Sequence, residues 1–142
     1  MISVFYGKND FSIDAEISKI RLTVTPEEVR EVNSLSLMEN TVTKSEFLSA
    51  VLTVPFMANK RVVIVSNLIS KLNSKKVLDD SEWSDIVEQL KLVPDSTDLI
   101  FREYDFDKRN YLFKKISNLC DIRHFPLLRP NELKQWVTDK VN

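Results

Sequence analysis

Arg61-Val62-Val63-Ile64-Val65, RVVIV, is a β-branched run in which apolar and polar residues do not alternate. A strand with one wet face alternates; a strand apolar on both faces lies inside a sheet covered on both sides, as in parallel sheets. The segments on either side of it fit a central parallel strand. Upstream, Thr43-Lys44-Ser45-Glu46 has capping-box spacing, and Phe47, Leu48, Val51 and Leu52 form a helical stripe that Pro55 ends or breaks. Downstream, after a polar, lysine-containing stretch, Trp83, Ile86, Val87 and Leu90 keep helical spacing between Ser81 and Leu92. Pro94-Asp95-Ser96 then turns the chain into a short strand over Asp98 to Phe101.

Further out, Ile2 to Tyr6 reads as a strand closed by Gly7-Lys8-Asn9-Asp10, with Asp10 as N-cap of a helix whose apolar positions are Phe11, Ile13, Ile17, Ile20 and Leu22. Thr25-Pro26-Glu27-Glu28 is a helix-start signal, and the Val/Leu alternation of Val32 to Leu37 suits a second strand. Lys108 to Leu119 is expected as a helix with Tyr111, Leu112 and Ile116 on one side. Ile122 to Phe125 is expected as the last strand, and Pro130 as the opening of a terminal helix with Leu133, Trp136 and Val137. Alternating strands and helices predict an α/β, three-layer fold: a mostly parallel, five-stranded sheet with helices on both faces and right-handed crossovers.

At 142 residues the chain fits one domain. A formal net charge of -1 argues against a broadly basic nucleic-acid binder and against an acidic tail. The single cysteine, Cys120, cannot form an internal disulfide, and MISVFYGKND lacks a signal-peptide pattern, so a cytoplasmic location is expected. Gly7 is the only glycine, which leaves no Gly-rich loop for phosphate.

An active P-loop follows GxxxxGK[ST]; the first turn here has one glycine, Lys8 directly after it, and the acidic Asp10 where phosphate would sit. RVVIV runs into Ser66-Asn67-Leu68, with no carboxylate to hold magnesium and no aspartate for a phosphorelay. His124 and Cys120 are the only candidates for a Cys/His nucleophile pair; four residues apart on a strand, they would stand about 13 Å from each other, beyond hydrogen-bond reach. No metal site is expected, because a structural zinc needs about four close-set Cys or His ligands. Asp79-Asp80 and Glu27-Glu28 fit turns and helix starts, and Lys108-Arg109 and Lys114-Lys115 fit a solvated helix face. Leu52 to Asn59 stands apart: a helix that ends at a proline and then presents Phe56 and Met57 has an apolar tip that its own stripe does not require.

Five strings, in this order, resemble the first domain of the delta subunit of bacterial DNA polymerase III, a clamp-loader family related to AAA+ ATPases. They are VFYGKNDF from Val4, VPFMANKRVVIV from Val54, LVPDSTDLIF from Leu92, DKRNYLFKKI from Asp107 and FPLLRPNELKQWV from Phe125. The resemblance implies a P-loop NTPase (AAA+)-like fold without a functional P-loop, no cofactor and no ATPase site. It implies a single N-terminal domain over 1–142, with 130–142 starting the lid region, so that the chain is expected to be an excised domain lacking the remaining lid and collar domains. It also implies a non-catalytic role within the polymerase holoenzyme: binding the sliding clamp (beta) and helping to open or load it in DNA replication. The other implied partners are the gamma/tau and delta prime subunits, through regions mostly outside this chain, with DNA contacted only indirectly and no membrane partner.

By the same resemblance, Phe56 and Met57 occupy the positions of the two hydrophobic residues that enter the clamp's pocket, with Leu52 and Pro55 shaping the helix end. Met57 stands where the family usually has an aromatic residue. The competing expectation for the tip is that both side chains fold back over the sheet edge. For the chain as a whole, the alternatives are a small nucleotide-dependent transferase with a degenerate phosphate loop at Gly7, and an inactive AAA+-like interaction domain with another partner.

Overall fold

The computed structural model describes residues 1–127; the terminal helix expected from Pro130 and the lid start expected at 130–142 lie outside the described residues. Five strands are formed: β1 (Ile2–Tyr6), β2 (Ser34–Met38), β3 (Arg61–Ser66), β4 (Thr97–Glu103) and β5 (Asp121–His124). Between them run α1 (Asp10–Arg21), α2 (Lys44–Leu52), α3 (Leu68–Lys71), α4 (Lys75–Asp79), α5 (Ile86–Leu90) and α6 (Tyr111–Ile116). The strand order is β2-β3-β4-β1-β5, and every pairing is parallel. Val63 of β3 lies in register with Leu35 on one side and Leu99 on the other, so RVVIV is an interior strand.

Its lack of alternation has a direct structural cause. Val62 and Ile64 join Phe5 and Ile100 on one face, where Ile13 and Ile17 of α1 cover them. Val63 and Val65 join Val4, Leu99 and Phe101 on the other, under side chains such as Phe47 of α2, Leu68 of α3, Leu112 of α6 and Trp83 in the segment before α5. Both faces are dry, and at roughly 25 cal/mol per Å2 of apolar surface removed from water this burial is the main force holding the layers together. The edge between Phe47 and Trp83, with ring centroids 5.4 Å apart, ties α2 to the segment before α5.

Several local boundaries differ from the expectations above. Asn9, not Asp10, caps α1: its Oδ1 accepts from the Ser12 N–H at 3.1 Å, and Asp10 already belongs to the first turn. Phe11 and Leu22 are exposed, because the inward stripe of α1 is the narrower set Ile13, Ile17 and Ile20. The Thr25–Glu28 signal yields two 3-10 turns, Glu27–Val29 and Glu31–Asn33, and the strand after them begins at Ser34 rather than at Val32. The polar stretch after β3 is not irregular: it holds α3 and α4, the latter capped by Ser74 accepting from Val77 N–H. The helix expected over 81–92 contracts to Ile86–Leu90, although Trp83 is buried as well. The helix expected from Lys108 begins at Tyr111, where Asn110 caps it. Thr43 caps α2 through its side chain, accepting from Glu46 N–H at 3.1 Å.

Candidate protein-docking tip

The chain leaves α2 at Leu52 and reaches β3 at Arg61 through a loop whose apolar residues face water. Val54 is 73% exposed, Phe56 57% and Met57 76%; Leu52 is exposed at the helix end and Pro55 is half-buried. Phe56 and Met57 therefore do not cover the sheet edge. Ala58 takes the inward position, packed against the cluster under α1.

Two asparagines hold this loop from behind. Asn33 is fully buried, and its side chain accepts from Phe56 N–H at 2.8 Å while donating to Phe56 O at 2.9 Å and Val29 O at 2.8 Å. Asn59 donates its backbone N–H to Thr25 O at 3.0 Å, and its side chain accepts from Thr25 N–H at 2.8 Å and donates to Thr23 O at 2.9 Å. With these backbone groups satisfied inside the protein, the loop is fixed without using Phe56 or Met57 as packing residues. Met57 is held at φ 52°, a left-handed conformation that side-chain-bearing residues adopt at a cost and that recurs where a loop is shaped for binding. Neither asparagine was singled out in the sequence, because the bonds by which they hold the loop reach across 23 to 36 residues and leave no local signal. Val54 was legible only as one more apolar residue outside the helical stripe.

The opposite, carboxyl end of the sheet carries the turn after β1. Gly7 has φ 135°, and a Cβ there would stand 2.2 Å from Phe125 O, so glycine is required by the close approach of the segment after β5. Four N–H groups at this turn are engaged: Gly7 donates to Glu103 O, Asn9 to Phe125 O, Asp10 to Lys8 O and Ser12 to Asn9 Oδ1. Arg102 bridges Asp10 and Asp14 in the first turns of α1. At the end of β3, Asn67 adopts φ 60° and accepts from Tyr104 N–H through Oδ1.

Next to that turn, Glu103 is fully buried at the end of β4. Its Oε1 accepts from the N–H and hydroxyl of Ser70, both at 2.8 Å, whereas Oε2 has no partner. Burial raises its pKa to about 7 against the pull of those hydrogen bonds. Cys120 lies just before β5 rather than on it, and burial pushes its thiol up to about 12, which removes it as a nucleophile at neutral pH. His124 stacks on Tyr6, with centroids 4.6 Å apart. Of the charge pairs, Asp79 is bridged by Lys75, Glu27 and Glu28 open a 3-10 turn, and Arg109 grips Asp107, holding that carboxyl at about 2. Among the described residues, no group of three or more His, Cys, Asp or Glu is arranged to hold a metal ion, and no helix is long and apolar enough to cross a membrane.

The family model described as DNA polymerase III, delta subunit, matches residues 4–124, from β1 to the end of β5. The chain belongs to this family. Among curated proteins no sequence matches it. Among solved structures, the DNA clamp loader delta protein (YqeN) of Bacillus subtilis is similar in fold, with a TM-score of 0.79 at 20% sequence identity over 97% of this chain. The match covers 42% of that protein, so this delta family member spans less than half the length of that relative. The all-parallel α/β sheet is thus the fold of a clamp loader delta protein.

Proposed function

We propose that this delta family domain is a non-catalytic clamp-loader component that grips the DNA sliding clamp in replication, with Phe56 and Met57 as hydrophobic anchors and Leu52 and Pro55 shaping the helix end behind them. The observation that carries the reading is the pinned backbone of Phe56: Asn33 bonds both its N–H and its carbonyl, while the side chains of Phe56 and Met57 stand in solvent. A preorganised apolar projection binds with less ordering cost than a loose one. Seated in a pocket of the clamp, it favours an opened clamp to the extent that it binds the open form more tightly than the closed one.

The turn at Gly7 supports the non-catalytic part. A phosphate site needs free backbone N–H groups at a helix start, and here four such groups are donated to protein acceptors while Arg102 occupies the acidic first turns of α1. Titration with ATP and magnesium is expected to show no saturable binding; saturation would favour the transferase alternative. Contacts with gamma/tau and delta prime subunits belong to the longer protein of this family, and DNA is reached through the assembly.

The test is titration of the chain against the sliding clamp of the same organism, beside a Phe56→Ala, Met57→Ala double variant with unchanged circular dichroism. Buried interface anchors contribute at least about 2 kcal/mol, so the variant is expected to bind at least about thirtyfold more weakly. A folded parent that shows no binding at tens of micromolar would overturn the reading and leave an interaction domain for another partner.

A further inference from the structure

The groove between β2 and α2 holds a buried cation that forms no ion pair among the described residues. Arg61, the first residue of β3, is 7% exposed. Its Nε donates to Ala50 O, in the last turn of α2, at 3.3 Å, and no carboxylate among the described residues stands within ion-pair distance of its guanidinium. The negative end of the α2 dipole accounts for part of its stabilisation. A carbonyl engages one of five guanidinium N–H groups, and the remaining fork is shaped for a carboxylate. Burial also lowers the pKa of Arg61, a sign that the charge is poorly compensated.

Arg61 lines a groove of about 420 Å3 together with Leu35 and Leu37 of β2 and with Ser45, Ser49 and Thr53 along α2. Glu46, exposed on α2, lines it too but forms no ion pair with Arg61. Two features make the groove reachable by a partner. Among the described residues β2 is an edge strand, so one side of the groove is open there, and Thr53 is the residue from which the Val54–Met57 tip departs.

We propose that this groove receives a carboxylate of the sliding clamp, from an Asp or Glu side chain or a chain terminus, which pairs with Arg61 when the tip seats. This rests on the clamp-docking reading above and extends its footprint from an apolar wedge to a wedge with an adjacent charge pair. A pair desolvated between leucines and the clamp surface fixes orientation as well as adding affinity.

The experiment titrates the clamp against the parent chain, Arg61→Gln, Ser49→Glu and their combination, with folding of each checked by circular dichroism. Arg61→Gln is expected to bind about thirtyfold more weakly. Ser49 is exposed, so Ser49→Glu keeps the fold, and its carboxylate occupies the groove from within and gives a similar loss; it decides the matter if Arg61→Gln does not fold. The combined variant is expected to bind no more tightly than Arg61→Gln alone, because the added carboxylate then has no Arg61 to neutralise it and repels that of the clamp. Ser49→Glu binding the clamp as tightly as the parent would overturn the groove proposal while leaving the Phe56 and Met57 anchors standing. No clamp binding by the parent would overturn both. Duplex DNA binding that is weakened by Ser49→Glu, with clamp binding unaffected, would move the groove to nucleic acid and overturn the assignment.

Discussion

The turn after β1 and the loop before β3 lie at opposite ends of one parallel sheet, and each contains a residue with positive φ, Gly7 and Met57. They spend their backbone groups differently. At Gly7 another stretch of main chain comes close: Phe125 O accepts the Asn9 N–H, and Glu103 O accepts that of Gly7, so these donors of the turn face the protein rather than a ligand. At Phe56 the side chain of Asn33 takes up the backbone from the inner side, which leaves the outer side apolar and exposed. Open α/β sheets ordinarily bind ligands at the carboxyl ends of their strands. In this chain four N–H groups of the turn at that end are donated to the protein itself, and the exposed apolar projection lies at the amino end, where the proposed docking tip is.

The largest effect is expected where the closure is tightest. Gly7→Ala forces a Cβ to within 2.2 Å of Phe125 O at a φ that L-residues avoid, so urea unfolding should show a loss of about 4 kcal/mol. A variant as stable as the parent would mean that the segment after β5 lifts away easily, and the carboxyl end would then count as open.

Glu103 probes the same end through pH. Its folded-state pKa of about 7 lies above its ordinary 4.5, so between those values the folded chain holds a proton that the unfolded chain has released. The corresponding stability is fully present below about pH 4.5 and is lost as pH rises through 7, amounting to about 3 kcal/mol. Glu103→Gln keeps an acceptor for Ser70 without the charge. It is expected to match the parent at pH 4.5 and to be more stable by about 3 kcal/mol at pH 8, as read from urea midpoints. Equal stability of the two proteins at pH 8 would show that water reaches the carboxylate, which is incompatible with a sealed carboxyl end.

Asn33→Ala tests the other half of the contrast. It strips the Phe56 N–H of its acceptor and is expected to cost about 2 kcal/mol in stability. Clamp affinity should fall about tenfold even though Phe56 and Met57 are untouched, because the tip must then be ordered on binding. Loss of stability with unchanged affinity would show that the pinning serves the fold alone.

What was legible in the sequence divides along the same line. Regular elements announce themselves locally: RVVIV as a two-sided strand, Thr43 to Glu46 as a capped helix start, and the isolated Gly7 as a turn. The exposed tip was legible too, since Phe56 and Met57 follow Pro55 outside any periodic pattern. The contacts that give these features their roles are non-local. Phe125 meets Gly7 across 118 positions, Asn33 meets Phe56 across 23, and Glu103 reaches Ser70 across 33, so no window of sequence contains both partners. The short helices α3 and α4 escaped for a different reason: four and five residues are too few to display a helical period.

The smallest expected change in stability is also the one that separates Met57 from Gly7 most cleanly. Met57→Gly relieves a left-handed conformation worth about 1 kcal/mol to an L-residue, but it also widens the conformational freedom of the unfolded chain, and the two effects nearly cancel. Net stability should therefore change by less than about 1 kcal/mol in urea titrations, while clamp affinity should drop about tenfold with the loss of the Met57 side chain. Glycine is indispensable at position 7 because backbone fills the space where a Cβ would go. At position 57 the backbone permits it, and on the docking proposal only the loss of the side chain counts against it. A Met57→Gly variant that gains several kcal/mol of stability and keeps full clamp affinity would reverse that assignment and make Met57 a strained residue with no work to do at the surface.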